Sequence, residues 1–360
     1  MKVISVVGAR PQLIKLAPIA AAFASTEHEH VIVHTGQHYD ADLSDVFFSG
    51  LGIPDPDIHL GIGSGSHGVQ TGKALAALDP VFMAEKPDWV LVYGDTNSTL
   101  AGAVSAVKLH LPVAHLEAGL RSFNRGMPEE HNRILTDHAA DLLLAPSEEA
   151  MRHLAAEGLA ARSTLVGDVM VDVCLGVRDA VLAGKHPAPA LPDGIAPDEP
   201  YLLATLHRAE NTDSRERLAT LIDGLADLPV PVALLAHPRL VAKAAEHGVK
   251  LARGAVHVGR PLPYAGMVAA VLGSAGVVTD SGGLQKEAYL LSRPCTTLRP
   301  ETEWVETLVD GWNRLVPDPS VHSRSEWADI ATRPAPTAAQ GTPYGDGRAA
   351  QRVVETLVTK

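Results

Sequence analysis

Short apolar runs alternate with longer amphipathic segments along the whole chain. In the first half, near-continuous apolar runs of strand length lie at residues 2–8, 30–36, 89–95, 111–117 and 140–147. Segments with a helical period lie between them, at 13–25, 69–85 and 97–109. Strands that are apolar on both faces and alternate with helices are typical of a parallel sheet covered on both sides. The pattern predicts an α/β fold with a doubly wound parallel sheet.

A second set of the same alternations follows a proline-rich segment at residues 185–200, which cannot form a regular element. Its strands are predicted at 201–207, 231–237, 255–259, 275–281 and 293–298, with helices near 213–226, 239–247 and 262–272. We therefore expect two α/β domains of similar kind, joined at the proline-rich segment, with a substrate cleft between them. The predicted parts are a first domain at 1–184, a second at 185–342, and a C-terminal helix in 343–360 that packs back on the first domain.

Composition and charge exclude several classes of partner. The chain has 360 residues and a formal net charge of −12, without a long run of one sign. This argues against a nucleic acid or a membrane surface as partner. The two cysteines, Cys174 and Cys295, lie in apolar contexts that suit buried thiols of a reduced compartment. Without a signal peptide or a long apolar run, the sequence predicts a soluble cytoplasmic protein.

The turn after the first predicted strand carries two cations. Residues 8–15 have the sequence GARPQLIK, in which Gly8 permits a tight turn and Pro11 suits the first turn of a helix. Arg10 and Lys15 flank the start of that helix, where free amides and positive charge favour anions. The alternative is an ordinary strand–turn–helix with solvated cations. The turn is a candidate anion site.

Carboxylates end two consecutive predicted strands of the first half. Asp95 lies at the end of one strand and Glu117 at the end of the next. Because open α/β sheets bind ligands at the carboxyl ends of their strands, we expect these two groups to meet at one site. The alternative for Asp95 is a helix cap, since a predicted helix begins directly after it.

The stretch HLEAGLRSFNRGMPEEHNR, residues 115–133, has no apolar period. Its Gly-Met-Pro break precedes a predicted helix whose first turn holds Glu129 and Glu130, with Arg133 spaced to pair with either one. Helix-dipole and ion-pair effects alone could account for these charges. Alternatively, Glu117 and Glu129 converge with Asp95, and carboxylates that tune one another suit acid–base chemistry.

Two histidine–arginine pairs mark strand ends in the second half. His207 is followed by Arg208, and His237 is separated from Arg239 by a proline. A single histidine at such a place is more often a packed or capping residue than a catalytic one. Repetition of the pair at two strand ends favours a phosphate or sugar site.

The segment TDSGGLQKEA, residues 279–288, predicts a strand that runs through Ser281, Gly282 and Gly283 into a helix. Free amides at such a helix start can seat an anion. Glu287, further along the helix, could accept the two hydroxyls of a ribose. The alternative is a pair of glycines that only eases a tight turn.

Two other patterns lead to no site. GSGSHG at 63–68 matches the dinucleotide-binding motif in letters, but two prolines and two aspartates make the preceding segment a poor strand. A loop is the better interpretation, and a dehydrogenase the weaker one. His28, His30 and His34 alternate along a strand but lack the spacing and carboxylate partners of a metal site. We predict no metal.

Taken in order, these motifs resemble those of the bacterial non-hydrolysing UDP-N-acetylglucosamine 2-epimerases. The matching motifs are GARPQLIK, TGQHYD, VYGDTNST, HLEAGLRSFNR, PEEHNR, TLHRAEN, TDSGGLQKEA, ETEWVET and PYGDG. Each is short, but the ordered set spans essentially the whole chain and is specific. The resemblance implies the GT-B-like architecture of nucleotide-sugar glycosyltransferases, with two Rossmann-like domains, and a homodimer.

The resemblance also implies a reaction: inversion at C2 of a UDP-N-acetylhexosamine, from UDP-GlcNAc to UDP-ManNAc. The C2 hydrogen has no neighbouring carbonyl, so direct abstraction would be too slow. Departure of UDP acidifies that hydrogen, carboxylates act as bases on the sugar, and cations hold the diphosphate. A 2-acetamidoglucal would be the intermediate, and neither a nicotinamide cofactor nor a metal ion is required.

The resemblance also implies a role for each residue that matches a family motif. The resemblance makes acid–base or intermediate-stabilising groups of Asp95, Glu117 and Glu129, with His207 at the leaving phosphate. The residues expected to bind UDP are Arg10, Lys15, His207, Arg208, His237, Ser281, Gly282, Gly283 and Glu287. Candidates for contacts to the sugar are Gln37, His38, Arg121 and Arg133, and the arginines are also candidates for holding the carboxylates charged.

The chain departs from the common family pattern in several places. Gln12 stands where many members have glutamate, and Trp304 and Val305 stand where many have Arg-Pro. The region of Gln37, His38 and His67, where many bacterial members seat a second, activating UDP-GlcNAc, also differs. GARPQ, TGQHYD and TEWVE resemble a branch that includes enzymes acting on UDP-2,3-diacetamido-2,3-dideoxyglucuronate. That uronate is the alternative substrate. A hydrolysing epimerase, a UDP-sugar glycosyltransferase and a binding module without catalysis are the alternative functions.

Overall fold

The computed structural model describes residues 1–36, 53–196 and 198–360, and for Arg10 only the backbone. Two compact units make up the chain. Unit 1 comprises Met1–Val173 and Thr342–Lys360, and unit 2 comprises Cys174–Gly341. Among the described residues, no helix combines the length and the apolar character that a membrane crossing needs.

The strands of unit 1 are β1 (Lys2–Val7), β2 (Glu29–His34), β3 (Ile58–His59), β4 (Trp89–Tyr93), β5 (Val113–Leu116), β6 (Leu142–Ala145) and β7 (Ser163–Leu165). The helices between and after them are α1 (Arg10–Ala24), α2 (His67–Glu85), α3 (Asn97–Lys108), α4 (Pro128–Ala139), α5 (Glu148–Ala156) and α6 (Val169–Leu182). Helix α6 contains the boundary between the units.

The strands of unit 1 form one seven-stranded sheet in the order β3-β2-β1-β4-β5-β6-β7 within the described part of the chain. Neighbouring strands run parallel, and Tyr93 of β4 is paired with Leu116 of β5. The carboxyl ends of β1, β4 and β5 therefore lie side by side, as the sequence predicted. Residues 63–68, the glycine-rich stretch, follow the two-residue strand β3 and run into α2.

Side chains of β1 alternate between two apolar layers. Val3 and Val7 pack in a layer that includes residues of α1 and of the C-terminal helix. Ile4 and Val6 pack in the other, with residues of α2 and α3. A sheet buried on both faces explains why its strands are nearly continuous apolar runs.

Unit 2 repeats this design. Its strands are β8 (Leu202–Thr205), β9 (Val232–Leu235), β10 (Val256–Gly259), β11 (Gly276–Thr279), β12 (Cys295–Thr297) and β13 (Asn313–Leu315). Its helices are α7 (Ala209–Thr212), α8 (Arg215–Ala226), α9 (Pro238–His247), α10 (Tyr264–Gly273), α11 (Gly282–Leu290) and α12 (Arg324–Ala331). The strands form a parallel sheet in the order β10-β9-β8-β11-β12-β13.

Unit 2 begins at Cys174 and not at residue 185, so the proline-rich segment lies inside unit 2 and does not join the two units. The backbone carbonyl of Asp193 accepts a hydrogen bond from His257 Nδ1 at 2.8 Å. A side chain on Gly259 of β10 would come within 2.8 Å of Pro192, so the segment packs closely on this edge strand. The chain changes units inside α6 instead, at a place where the sequence shows no break in helical pattern.

The C-terminal helix α13 (Ala349–Thr359) packs against α1 within unit 1. The Asp172 carboxylate accepts hydrogen bonds from the amides of Ala349 at 3.0 Å and Ala350 at 2.8 Å. These are orphan amides of the first helical turn, so Asp172 acts as a cap from a distant part of the sequence. Its burial raises its pKa, although the two amides counteract part of that effect.

Candidate active site

A lysine and a glutamate form an ion pair at the carboxyl edge of the unit 1 sheet. Glu117 follows directly after β5, and its φ of +71° is uncommon for a residue other than glycine. Its carboxylate accepts a hydrogen bond from Lys15 Nζ on α1. The Lys15 and Glu117 side chains are only 14% and 13% exposed. The pair is therefore largely shielded from water.

Gly94 makes room for this pair at the end of β4. Its φ is +61°, and a β-carbon there would lie 3.2 Å from Glu117 Oε2 and 3.3 Å from Lys15 Nζ. A glycine is therefore needed for both conformation and space. The same contacts show that the Glu117 carboxylate lies against the residue that precedes Asp95.

The charge of Lys15 is maintained by its surroundings. Burial alone would lower its pKa, but the negative charges of Glu117, Asp95 and Asp168 together raise it above the ordinary value for lysine. Lys15 therefore stays an ammonium ion beside Glu117. The predicted contact of Lys15 with a diphosphate stays a prediction.

Asp95 is held by a single arginine. Arg133 of α4 donates to Asp95 Oδ2 from Nε at 3.0 Å and from Nη2 at 2.6 Å. No described side chain donates to Asp95 Oδ1, so one carboxylate oxygen is left for a ligand. The third nitrogen, Nη1, donates to Glu130 Oε2 at 2.8 Å. Of the two glutamates within reach, Arg133 thus pairs with Glu130.

The neighbours Glu129 and Glu130 have different surroundings. Glu130 is 1% exposed and accepts hydrogen bonds at 2.9 Å from both the amide and the hydroxyl of Ser122 and from the amide of Phe123. Burial opposes its ionisation, but these donors and Arg133 lower its pKa below the usual value. Glu129 makes no hydrogen bond or ion pair with a described residue. Its carboxylate is the free one of the two.

The turn after β1 is closed by Gln12, one of the departures from the family pattern. Gln12 Oε1 accepts from the amides of Gly8 at 2.8 Å and Ala9 at 3.0 Å. Gln12 Nε2 donates to the Tyr93 carbonyl at 2.8 Å and to Thr99 Oγ1 at 2.9 Å. A glutamate could not make the last two bonds, because it has no N–H donor. Because Gln12 engages these amides, the predicted anion site would have to use side chains.

Three residues expected at the site cannot be placed. Gln37 and His38 lie outside the described residues, and the side chain of Arg10 is not described either. His67, from the same region of the family pattern, lies at the start of α2, with Asn97 Nδ2 3.1 Å from its Nδ1.

Arg121 is buried, which corrects the expectation that it contacts the sugar. Its side chain is 1% exposed and pairs with Asp137 at 2.7 Å and with Glu157 at 2.7 Å. A guanidinium without exposed surface cannot reach a ligand in this structure. Arg121 instead ties the segment after Glu117 to α4 and to the end of α5.

In unit 2, His207 is oriented by a carboxylate that the sequence did not single out. Asp280 follows β11, is 0% exposed, and lies 3.1 Å from His207 Nδ1. Burial opposes its ionisation, but hydrogen bonds from His207, Arg208 and Asn211 lower its pKa. An ionised Asp280 makes Nδ1 the donor, which leaves His207 Nε2 for a ligand. The position of Asp280 directly after a strand was the available signal.

The start of α11 has the character of an anion seat. Ser281 caps the helix, its hydroxyl accepting from the amide of Leu284 at 3.3 Å. The amides of Gly282 and Gly283 have no acceptor among the described residues. The Glu303 carboxylate already lies here: a β-carbon on Gly282 would be 2.5 Å from its Oε1. Glu303 also pairs with Arg299 at 2.8 Å, and binding of an anion by the start of α11 stays a prediction.

Two further predicted residues lie in unit 2. Burial raises the pKa of Glu287, and also raises the pKa of the neighbouring Tyr264 hydroxyl and of the Cys174 thiol, the latter to about 12. His237 caps α9 by accepting from the amide of Arg239, and its ring centroid is 5.8 Å from that of His207. Contacts of Glu287 and His237 with UDP stay predictions. No group of three or more potential metal ligands occurs among the described residues.

Comparison with known proteins decides the family. The family model described as UDP-N-acetylglucosamine 2-epimerase matches residues 21–358. A relative from Pseudomonas aeruginosa, a UDP-2,3-diacetamido-2,3-dideoxy-D-glucuronate 2-epimerase, is 44% identical over 370 residues that cover 99% of each chain. The chain belongs to the UDP-N-acetylglucosamine 2-epimerase family. The predicted resemblance and the enzyme class, an isomerase, are confirmed.

Solved structures agree with this assignment. The UDP-GlcNAc 2-epimerase from Methanocaldococcus jannaschii matches this epimerase with a TM-score of 0.84 at 36% identity, over 100% of both chains. Its complex with UDP-GlcNAc and UDP gives a TM-score of 0.80. A lipopolysaccharide outer core galactosyltransferase, 13% identical with a TM-score of 0.51, shares the fold alone. The predicted GT-B-like fold with two Rossmann-like sheets is confirmed.

Proposed function

We propose that this epimerase inverts C2 of UDP-GlcNAc by anti-elimination of UDP and re-addition. One observation carries the proposal. At neighbouring strand ends of one sheet, Asp95 and Glu117 present carboxylates that are each paired with a separate cation, Arg133 and Lys15. This arrangement places a cation beside each of two neighbouring carboxylates, which suits a site where positive charge develops on a sugar.

Each half of the reaction balances without a cofactor. In the elimination, the C1–O bond breaks with its electrons leaving on UDP, while a carboxylate removes the C2 proton and a C1–C2 double bond forms. In the re-addition, a carboxylic acid delivers a proton to the opposite face of C2 and a phosphate oxygen attacks C1. Two carboxylates on opposite faces of the sugar are therefore needed.

The surroundings of the carboxylates support distinct roles. Glu129 has no partner among the described residues and is available to exchange a proton. Glu117 lies beside Lys15, whose ammonium offsets its charge. Asp95 keeps one oxygen unengaged, so it can face the developing positive charge at C1. We therefore propose Glu117 and Glu129 as the proton-exchanging pair and Asp95 as the stabilising group.

Unit 2 supplies groups suited to the leaving UDP. His207, oriented by Asp280, can donate from Nε2 to a departing phosphate oxygen. The start of α11, at Gly282 and Gly283, offers amides for a phosphate, and Arg208 lies beside it. Glu287, further along the same helix, remains the proposed partner of the ribose hydroxyls.

A second substrate is favoured by a specific observation. The relative that acts on UDP-2,3-diacetamido-2,3-dideoxy-D-glucuronate shares 44% of its residues with this chain. The departures at 303–306 point the same way: Trp304 replaces the common arginine, and Lys286 Nζ lies 4.1 Å from the centroid of its ring. The uronate is therefore the second candidate substrate.

Proton NMR in D2O tests both proposals. With the correct UDP-sugar, we expect the C2 proton signal to disappear as deuterium enters, with both C2 epimers present at equilibrium. UDP-GlcNAc is tried first and the uronate second. The substitutions D95N, E117Q and E129Q should each lower this exchange by about a hundredfold or more. A free sugar as product would indicate a hydrolysing epimerase, and retention of the C2 proton with both substrates would refute the proposal.

A further inference from the structure

A fully buried histidine lies next to both of the proposed catalytic strand ends. His115 belongs to β5 and is 0% exposed. Its Nε2 is 2.7 Å from the carbonyl oxygen of Gly94, and its Nδ1 is 2.6 Å from Asp137 Oδ1. Asp137, on α4, is also 0% exposed. The mechanism above leaves both of these ionisable side chains without a role.

Both ring nitrogens of His115 face acceptors. The Gly94 carbonyl can only accept, so Nε2 carries a hydrogen. Asp137 also accepts from the amide of Gly119 at 3.1 Å and from Arg121 at 2.7 Å. Burial opposes ionisation of Asp137, but His115 and Arg121 lower its pKa below the ordinary value. The ring of His115 is therefore held on both sides, by the Gly94 carbonyl at 2.7 Å and by Asp137 at 2.6 Å.

The pair contacts the backbone on either side of the proposed catalytic residues. The Gly94 carbonyl is part of the peptide bond to Asp95. The Gly119 amide follows shortly after Glu117, where the backbone has φ values of +71° at Glu117 and +84° at Gly119. A left-handed conformation at a residue such as Glu117 costs on the order of 1–3 kcal/mol and persists only where the surroundings fix it. Asp137 supplies one such contact, at the Gly119 amide, while His115 fixes the backbone directly before Asp95.

We propose that His115 and Asp137 form a positioning pair that holds Asp95 and Glu117 in their reactive arrangement. Neither side chain touches the substrate, and the pair acts only through the backbone at Gly94 and Gly119. The inference rests on the proposed function of Asp95 and Glu117. A pair that served stability alone would lower the amount of folded enzyme without changing the turnover of each folded molecule.

The test separates turnover from folding. H115F removes both polar contacts of the ring, and D137N keeps the shape of Asp137 while removing its charge. We expect kcat per folded molecule to fall by about 10- to 100-fold for H115F and by about tenfold for D137N, since misplacement of about 1 Å can cost that much. KM should stay within about threefold in both, because the pair makes no substrate contact.

Y93F is the matched control. Tyr93 is the last residue of β4, directly before Gly94. The substitution removes the hydrogen bond of 2.7 Å between Tyr93 Oη and Ser5 Oγ of β1, without removing a contact to Gly94. We expect it to lower the unfolding temperature while kcat stays within about twofold, because the Tyr93 hydroxyl contacts neither the Gly94 carbonyl nor the Gly119 amide. Wild-type kcat in folded D137N and H115F would overturn the proposal. If H115F does not fold, D137N decides.

Failure of the proposed function would look different. If D95N and E117Q retain C2 exchange, the catalytic assignment is wrong. His115 and Asp137 would then have no catalytic residues to position. If D95N and E117Q are inactive while the His115 and Asp137 variants turn over normally, only the positioning role is refuted.

Discussion

Glu129 and Glu130 are adjacent in sequence, but their replacement by glutamine should differ in its effect on the stability of the protein. Glu130 accepts hydrogen bonds from the amide and hydroxyl of Ser122, the amide of Phe123 and Nη1 of Arg133. A glutamine oxygen can replace Oε2, which takes three of these bonds. Its NH2 group then faces the amide of Phe123, so that a donor meets a donor.

The structure gives the expected magnitude for E130Q. One charge-assisted bond is lost and the other three lose the negative charge of their acceptor, which corresponds to a loss of roughly 2–4 kcal/mol in the free energy of unfolding. For a unit of this size, that lowers the unfolding temperature by roughly 5–15 °C. Arg133 also loses its ion-pair partner next to Asp95, so we expect kcat to fall as well.

E129Q should leave the stability of the protein nearly unchanged. Because Glu129 has no partner among the described residues, its replacement should change the free energy of unfolding by less than about 0.5 kcal/mol. If it exchanges the C2 proton, kcat should fall by about 10²- to 10⁴-fold. Wild-type stability with loss of turnover is therefore the expected signature.

Thermal unfolding by circular dichroism and C2 deuterium exchange by NMR, measured on the same preparations, separate the two effects. The reasoning is refuted if E129Q is destabilised as strongly as E130Q, or if E130Q unfolds at the wild-type temperature. An active E129Q beside an inactive, stable E130Q would move the proton-exchanging role to Glu130.

Three further outcomes follow from single contacts. Q12E removes the donor to the Tyr93 carbonyl, and thermal unfolding should show a loss of about 1–3 kcal/mol. D172A removes the cap of the C-terminal helix, at a cost of about 1–2 kcal/mol, and should speed proteolysis of residues 349–359, whereas D172N should lose less. The pKa values of Glu130 and Asp137 are lowered on folding. The contribution of these two carboxylates to the free energy of unfolding is therefore complete above the ordinary carboxyl pKa, and it is lost as pH falls below about 4. Unfolding temperatures measured from pH 7 to 3 should show that loss, with the gap between wild type and E130Q narrowing.

Sequence patterns predicted the parts of the site that depend on strand order. Apolar periodicity located β4 and β5, and their succession in a parallel sheet was enough to expect Asp95 and Glu117 at one edge. The pairing of Tyr93 with Leu116 confirms that expectation. The start of α11 at Ser281, Gly282 and Gly283 was also predictable, because a capping serine and glycines have a local effect on a helix start.

The partners of the charged side chains were not predictable. Lys15 and Glu117 are far apart in the sequence, and no periodicity indicates that α1 directs its lysine to the end of β5. Helical spacing allowed Arg133 to pair with either Glu129 or Glu130, and only the burial of Glu130 decides between them. The boundary between the units was also not predictable. It lies inside α6, whose helical pattern continues from one unit into the other.

The charged stretch at residues 115–133 can now be understood through helix α4. Glu130, Arg133 and Asp137 are spaced as one face of a helix, where a buried face is normally apolar. Here Glu130 and Asp137 instead accept backbone amides of residues 117–123, and Arg133 reaches Asp95. This segment contains two non-glycine residues with positive φ, at 117 and 123. Apolar side chains could fill the same space, but they could not accept those amides. A polar buried face is therefore what allows the chain to turn back after Glu117.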